Sequence, residues 1–140
     1  MLVNRKARFN YEIIRTVEAG LQLVGTEVKS LRAGKVSFTD AFVINRDGEL
    51  YLSNMRIDPW TNAREQHEPS RPRKLLLRKR EIATLLGEMS AKGLSVVPTK
   101  VYLKNGLFKV ELGVGRGKKL YDKRETIKAR DIERRLRNLA

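Results

Sequence analysis

The dipeptide Asn105-Gly106 constrains this chain more than any other pair of residues. Asn and Gly tolerate the positive φ that both central positions of a tight two-residue hairpin turn demand. The pair lies between Val101-Tyr102-Leu103-Lys104 and an apolar-rich run over residues 107–114, so two antiparallel strands are expected to meet there. A two-residue turn also fixes register. Lys104 should face Leu107, Leu103 should face Phe108, and Tyr102 should face Lys109. Val101, Leu103, Phe108, Val110 and Leu112 then share the core face, while Tyr102, Lys109 and Glu111 share the other. Asp47-Gly48 repeats the signal between Phe42-Val43-Ile44-Asn45 and Leu50-Tyr51-Leu52.

The rest of the chain fits around these hairpins. Residues 9–24 alternate with period two, which predicts a long strand or a bent strand pair, with Gly20 and Gly25 as bulge or bend points. Residues 26–35 read as a short helix with Thr26 as N-cap and Gly34 as its stop. Residues 58–73 are Pro-rich and polar and predict a long loop. Ile82, Leu85, Leu86 and Met89 recur at helical spacing and Gly93 ends that run. The expected fold class is mainly β: a small, closed, OB-like antiparallel β-barrel with peripheral helices. One domain is expected over residues 1–117. A basic C-terminal tail, 118–140, should be flexible alone and helical when bound, because apolar residues are sparse in it.

Charge narrows the function. Among 140 residues the formal net charge is +14, and an excess of that size repels itself unless a polyanion offsets it. Nucleic acid is the leading partner, and an anionic membrane surface is the alternative. No segment approaches the ~20 apolar residues of a membrane span. Met1-Leu2-Val3-Asn4-Arg5-Lys6 has no signal-peptide pattern, and the chain has no cysteine, so a cytoplasmic location is expected. Catalysis finds little support. The single histidine, His67, falls in the polar loop and is expected to be solvated, and no metal site or cofactor is expected. Gly113-Val114-Gly115-Arg116-Gly117-Lys118-Lys119 lacks the strand–loop–helix context of a phosphate loop.

Candidate binding residues cluster in three places. Arg71, Arg73, Lys74, Arg78, Lys79 and Arg80 form a basic group, read as a phosphate-binding rim. Within it, Leu75-Leu76-Leu77 cannot all face one core, so Leu76 should point outward, where a base or sugar could lie against it. Tyr102 beside Lys109 is either a platform for unpaired RNA or an ordinary cross-strand pair. Glu18, on the polar side of its strand, either pairs with a nearby Arg or accepts a hydrogen bond from RNA. In the tail, Ala129, Ile132, Leu136 and Leu139 make a narrow apolar seam among arginines.

Four stretches resemble a known family: Glu18-Ala19-Gly20-Leu21, Gly25-Thr26-Glu27-Val28-Lys29-Ser30-Leu31-Arg32-Ala33-Gly34-Lys35, Arg73-Lys74-Leu75-Leu76-Leu77, and Gly117-Lys118-Lys119-Leu120-Tyr121-Asp122-Lys123-Arg124. They are similar to the small protein B family, the tmRNA-binding (SsrA-binding) proteins of trans-translation, along nearly the whole chain. The resemblance implies an OB-like barrel that grips the tRNA-like domain of tmRNA and helps deliver alanyl-tmRNA to stalled ribosomes. It implies RNA contacts at Glu18, Leu76 and Lys109. It implies a tail-junction motif at Lys118, Lys119, Asp122, Lys123 and Arg124 that works at the ribosomal decoding site, with the tail entering the empty mRNA channel through residues such as Ile132 and Leu136. Tyr121 stands where many members carry His, so a stacking role is kept and a protonatable one is not. The partners implied are tmRNA and the ribosome, no membrane, and a monomeric protein. A generic rRNA-binding barrel protein and an RNA-processing enzyme are the competing functions.

Overall fold

A computed structural model describes residues 1–61 and 63–118. Within them the order is β1 (Leu2–Val3), α1 (Arg5–Asn10), β2 (Tyr11–Leu21), α2 (Gly25–Arg32), β3 (Val36–Ser37), β4 (Phe42–Arg46), β5 (Glu49–Ser53), β6 (Arg56–Ile57), β7 (Arg73–Leu76), α3 (Lys79–Ser90), β8 (Ser95–Lys104) and β9 (Leu107–Gly117). Seven strands form one antiparallel sheet in the order β1-β8-β9-β2-β7-β5-β4, and β3 pairs with β6 separately.

Both hairpins form with the expected turns. Asp47 and Gly48 take φ of 54° and 83°, and Asn105 and Gly106 take 52° and 78°. The β8–β9 register is the one the turn dictates, with Lys104 on Leu107, Leu103 on Phe108 and Tyr102 on Lys109. Val101, Val110 and Leu112 are buried, but Leu103 is exposed. The hairpin tip runs past the edge of the core, so alternation continues there with nothing to cover it.

Alternation also builds β2, with two corrections. Phe9 and Asn10 belong to α1 rather than to the strand. The bulge lies at Ile14, between Ile13 and Arg15, rather than at Gly20. The extra residue turns Arg15 toward α3, where its Nε donates to Glu88 Oε2 at 3.2 Å. The α2 helix is capped at Val24, not Thr26: the Glu27 carboxylate accepts the Val24 backbone N–H at 2.9 Å. Gly34, at φ 73°, takes the left-handed position just past its end. The α3 helix follows its spacing. It places Leu85 in the core, with Ile82, Leu86 and Met89 packed at the margin.

The sheet curls without closing. Strand β4 packs against β8, yet the hydrogen-bonded ladder ends at β1 on one side and β4 on the other. The β8 edge is occupied where closure would need it. β1 pairs with Lys100 and Val101, the Asn4 N–H donates to the Thr99 carbonyl at 2.7 Å, and Pro98 has no N–H to offer. The closed barrel expected from strand spacing is therefore an open, strongly curved sheet. Its concave side holds Leu50, Leu52, Leu75, Val110, Leu112 and Val114, all essentially solvent-free. Its convex side is open around Glu18, Leu76, Tyr102 and Lys109, which are exposed or half-buried, and buried at Val97 and Gly113. Among the described residues no helix is long and apolar enough to cross a membrane.

Candidate nucleic-acid interface

Directly paired residues of neighbouring antiparallel strands project to the same face. Tyr102 pairs with Lys109, Lys109 with Gly20, and Gly20 with Leu76. Tyr102, Lys109, Gly20 and Leu76 thus form one row across β8, β9, β2 and β7 on the convex face. Glu18 stands beside the row, opposite Glu111. The sequence placed Glu18, Leu76, Tyr102 and Lys109 on the polar sides of separate strands, and the topology brings these four together.

Each member of the row has a local cause. Leu76 is 52% exposed while Leu75 is 1% exposed, as strand alternation requires. Gly20 is the residue that sequence reasoning read differently. A Cβ there would stand 3.2 Å from the Leu76 Cβ and 3.5 Å from the Lys109 Nζ. Its bare backbone leaves the gap in which the leucine and the lysine sit side by side. A groove of about 710 Å³ runs here, lined by Glu18, Gly20, Leu76, Arg78 and Lys109 among others.

Glu18 is held rather than free. The Tyr102 hydroxyl donates to Glu18 Oε2 at 2.5 Å, and the Lys104 Nζ donates to Oε1 at 3.2 Å. The bond from Tyr102, then that from Lys104, keeps the Glu18 carboxyl below its usual range. Burial and the bond to Glu18 push the Tyr102 phenol up to about 12. The carboxylate therefore stays ionised and oriented as an acceptor, between a phenol and cations.

The basic group around β7 divides. Arg73, expected at the RNA surface, has no exposed side chain. Its Nη2 lies 2.5 Å from Glu27 Oε2, its Nε donates to the same oxygen at 2.7 Å, and its Nη1 donates to the Met55 and Pro69 carbonyls. The alternation that turns Leu76 outward turns Arg73 inward. Arg71 joins it, donating to Glu27 Oε1 at 2.5 Å. The partners of Glu27 went unread in the sequence because they lie far along the chain. Burial alone would raise its carboxyl, but the bonds from Arg71, the Val24 N–H and Arg73 outweigh burial and hold it low.

Lys74 does face outward. It pairs with Tyr51 in register, and its Nζ lies 3.4 Å from Glu49 Oε2. Arg78 caps α3, its N–H donating to Glu81 Oε1 at 3.1 Å. His67 is buried, not solvated: its Nε2 contacts the Ile57 carbonyl at 2.8 Å and its Nδ1 contacts the Thr26 hydroxyl at 2.8 Å. Gly113 to Gly117 are strand residues of β9, so they form no phosphate loop. Lys118 is the last described residue, with its N–H on the Asn10 carbonyl at 2.8 Å. Lys119, Tyr121, Asp122, Lys123, Arg124, Ile132 and Leu136 lie outside the described residues.

A curved antiparallel sheet whose open face aligns an aromatic, a cation and an exposed leucine defines a small β protein of the nucleic-acid-binding class. This chain belongs to the SmpB protein family, whose model matches residues 1–140. It is 56% identical over 135 residues to an SsrA-binding protein of Oleidesulfovibrio alaskensis, covering 96% of this chain and 87% of that protein. It is 53% identical over 142 residues to an SsrA-binding protein of Trichormus variabilis, covering 96% and 91%. Its fold is similar to a solved chain from a structure described as "tmRNA-SmpB: a journey to the center of the bacterial ribosome", with a TM-score of 0.70, 54% identity and 85% of each chain covered.

Proposed function

We propose that this chain binds the tRNA-like domain of tmRNA through its convex β8–β9–β2–β7 face and carries alanyl-tmRNA to stalled ribosomes in trans-translation. The observation that carries the reading is the row Tyr102, Lys109, Gly20, Leu76 with Glu18 held beside it. Lys109 supplies the phosphate contact. Tyr102 and Leu76 supply flat and apolar surface for a base or sugar, and ionised Glu18 accepts from a base N–H or a 2′-OH. The protein works by binding, in the cytoplasm, as a monomer. Its sheet is read as an OB-like fold in which β4 meets β8 without completing the ladder.

Residues 1–117 form the binding domain in this reading. Residues 118–140 form a separate basic tail in this reading, which serves the ribosome rather than the tRNA-like domain. Truncation after Arg124 is then expected to spare tmRNA affinity and abolish peptide tagging on stalled ribosomes.

A salt titration of binding to the isolated tRNA-like domain tests the main claim. The log–log slope should be of order −4 to −8 if about 5–10 phosphates are neutralised. Affinity that stays flat with salt would remove the electrostatic basis of the reading.

A further inference from the structure

The convex row ends at Leu76 on β7, but the outward alternation of that strand continues to Lys74. Lys74 pairs directly with Tyr51, and Tyr51 pairs with Ile44. These three side chains therefore form a second row, on the outward face of β7, β5 and β4. The residues that alternate with them, Val43, Leu50, Leu52 and Leu75, are core. Tyr51 and Ile44 are half-buried, and Arg46, two residues beyond Ile44, is exposed. An aromatic, a cation and an aliphatic side chain thus stand together twice on one sheet: Tyr102, Lys109 and Leu76 in the first row, Tyr51, Lys74 and Ile44 in the second. Leu76 and Lys74 are two residues apart on one strand, about 6.8 Å, so the two rows adjoin.

The second row carries chemistry that the fold does not need. The Arg46 Cζ lies 5.4 Å from the centre of the Tyr51 ring. Ring and guanidinium make one cationic platform, and both groups stack on bases. The Lys74 Nζ lies 3.4 Å from Glu49 Oε2, and both side chains are more than a third exposed, so this ion pair adds little stability and leaves Lys74 available to a stronger anion. Glu49 is also the register partner of Arg46. Two cations against one carboxylate leave a positive surplus. A second copy of this chain would bring the same surplus against itself, whereas a polyanion is drawn to it. Continuity with the first row makes that polyanion the same RNA.

We propose that the RNA footprint extends onto β5 and β4, where the second row takes an unpaired base of the bound tRNA-like domain. The base stacks on Tyr51 and Arg46, a neighbouring phosphate meets Lys74, and the ribose lies against Ile44. A segment that reaches both rows must follow the curve of the sheet around β7. An unpaired loop does this more readily than a duplex stem. The inference rests on the RNA-binding reading and adds to it the strands that reading leaves aside.

The test uses the full chain with Tyr51→Ser, Tyr51→Phe and Lys74→Ala, and with Lys109→Ala as the reference for the first row. Binding of a tRNA-like-domain transcript is measured over a salt series, with Tm and sedimentation mass in parallel. Tyr51→Ser should weaken binding about fivefold or more, the loss of one base–aromatic stack. Tyr51→Phe should keep the parent's affinity, because the ring remains. Lys74→Ala should reduce the magnitude of the log–log salt slope by about one, the loss of one phosphate contact. That slope decides the matter alone if Tyr51→Ser does not fold. Parent-like affinity in a folded Tyr51→Ser, a loss that Tyr51→Phe shares, or an unchanged slope in Lys74→Ala would overturn the proposal. A parent chain that sediments as a dimer, and a Tyr51→Ser chain that does not, would make this face a self-interface and overturn it too. If Lys109→Ala is weakened while the second-row variants are not, only the second row fails. If Lys109→Ala also binds like the parent, the convex-face reading fails with it.

Discussion

Glu18 and Glu27 are both carboxylates held by more than one donor, and they do opposite work. Glu27 is fully buried and clamped between Arg71 and Arg73. Its charge is spent inside the protein, tying α2 to β7. Glu18 stands on the open convex face, bonded to Tyr102 and Lys104, with Lys109 nearby and still facing solvent. A charge whose hydrogen-bonding capacity is consumed by buried partners builds the fold. A charge held by surface partners and still exposed, as Glu18 is, can also meet a ligand. The cations divide in the same way, with Arg73 interior and Lys109 available.

The largest expected effect lies at the buried cluster. Glu27→Ala leaves the Arg73 guanidinium buried without its counter-ion and should cost about 3–5 kcal/mol of stability, seen as a large drop in Tm. The pH dependence has a definite sign. The Glu27 carboxyl is held lower in the folded than in the unfolded state, so its contribution is present above the unfolded value, about 4.3. It is lost as pH falls through the lower folded value. Acid unfolding should therefore steepen in that window, and Glu27→Gln should flatten it. If Tm survives Glu27→Ala unchanged, the contrast between the two carboxylates collapses.

Next comes Lys109→Ala. It should weaken binding of the tRNA-like domain by roughly 1–3 kcal/mol if its phosphate contact is charge-assisted, while Tm moves little. A binding titration with parallel thermal unfolding checks both halves. Gly20→Ala should act on the same surface more gently. The new methyl presses on the Leu76 Cβ at 3.2 Å, so the leucine and Lys109 shift by tenths of an ångström. The expected result is a few-fold loss of affinity with the fold retained. Affinity equal to the parent chain's would mean that the close approach of the two side chains is immaterial.

The smallest effect is spectroscopic. The Tyr102 phenolate should form only at about pH 12 in the folded chain. A raised phenol contributes stability below its unfolded value, about 10, and loses it as pH rises through the folded one. Glu18→Gln removes a cause of the shift, so the ultraviolet phenolate titration should move downward. Tyr102→Phe should in turn let the Glu18 carboxyl return toward its usual range.

How much of this was legible in the sequence depends on how local each cause is. The two hairpins and their registers could be read because Asp47-Gly48 and Asn105-Gly106 state their backbone geometry in two residues. Leu76 could be read because alternation forbids three adjacent leucines from sharing a face. That same rule, carried to Arg73, would have turned it inward, but no inward partner was visible: Glu27 lies 46 residues away. His67 was misread for a similar reason, since Thr26 and the Ile57 carbonyl come to it through the fold. The strands β1, β3 and β6 have two residues each, too few to show a period. The sheet is kept from closing by β1 and Asn4 on the β8 edge, a tertiary event without a motif.

Leu76 gives the most direct test of the central claim, that the convex row binds RNA while the buried cluster holds the fold. At 52% exposure its side chain contributes little to the core, so Leu76→Ser should leave Tm within about 0.5 kcal/mol equivalent of the parent. Measured alongside Tm, the affinity for the tmRNA tRNA-like domain should fall by about tenfold or more, because the serine loses the apolar surface presented to base and sugar. Unchanged affinity, or a loss that tracks a fall in Tm, would contradict the account.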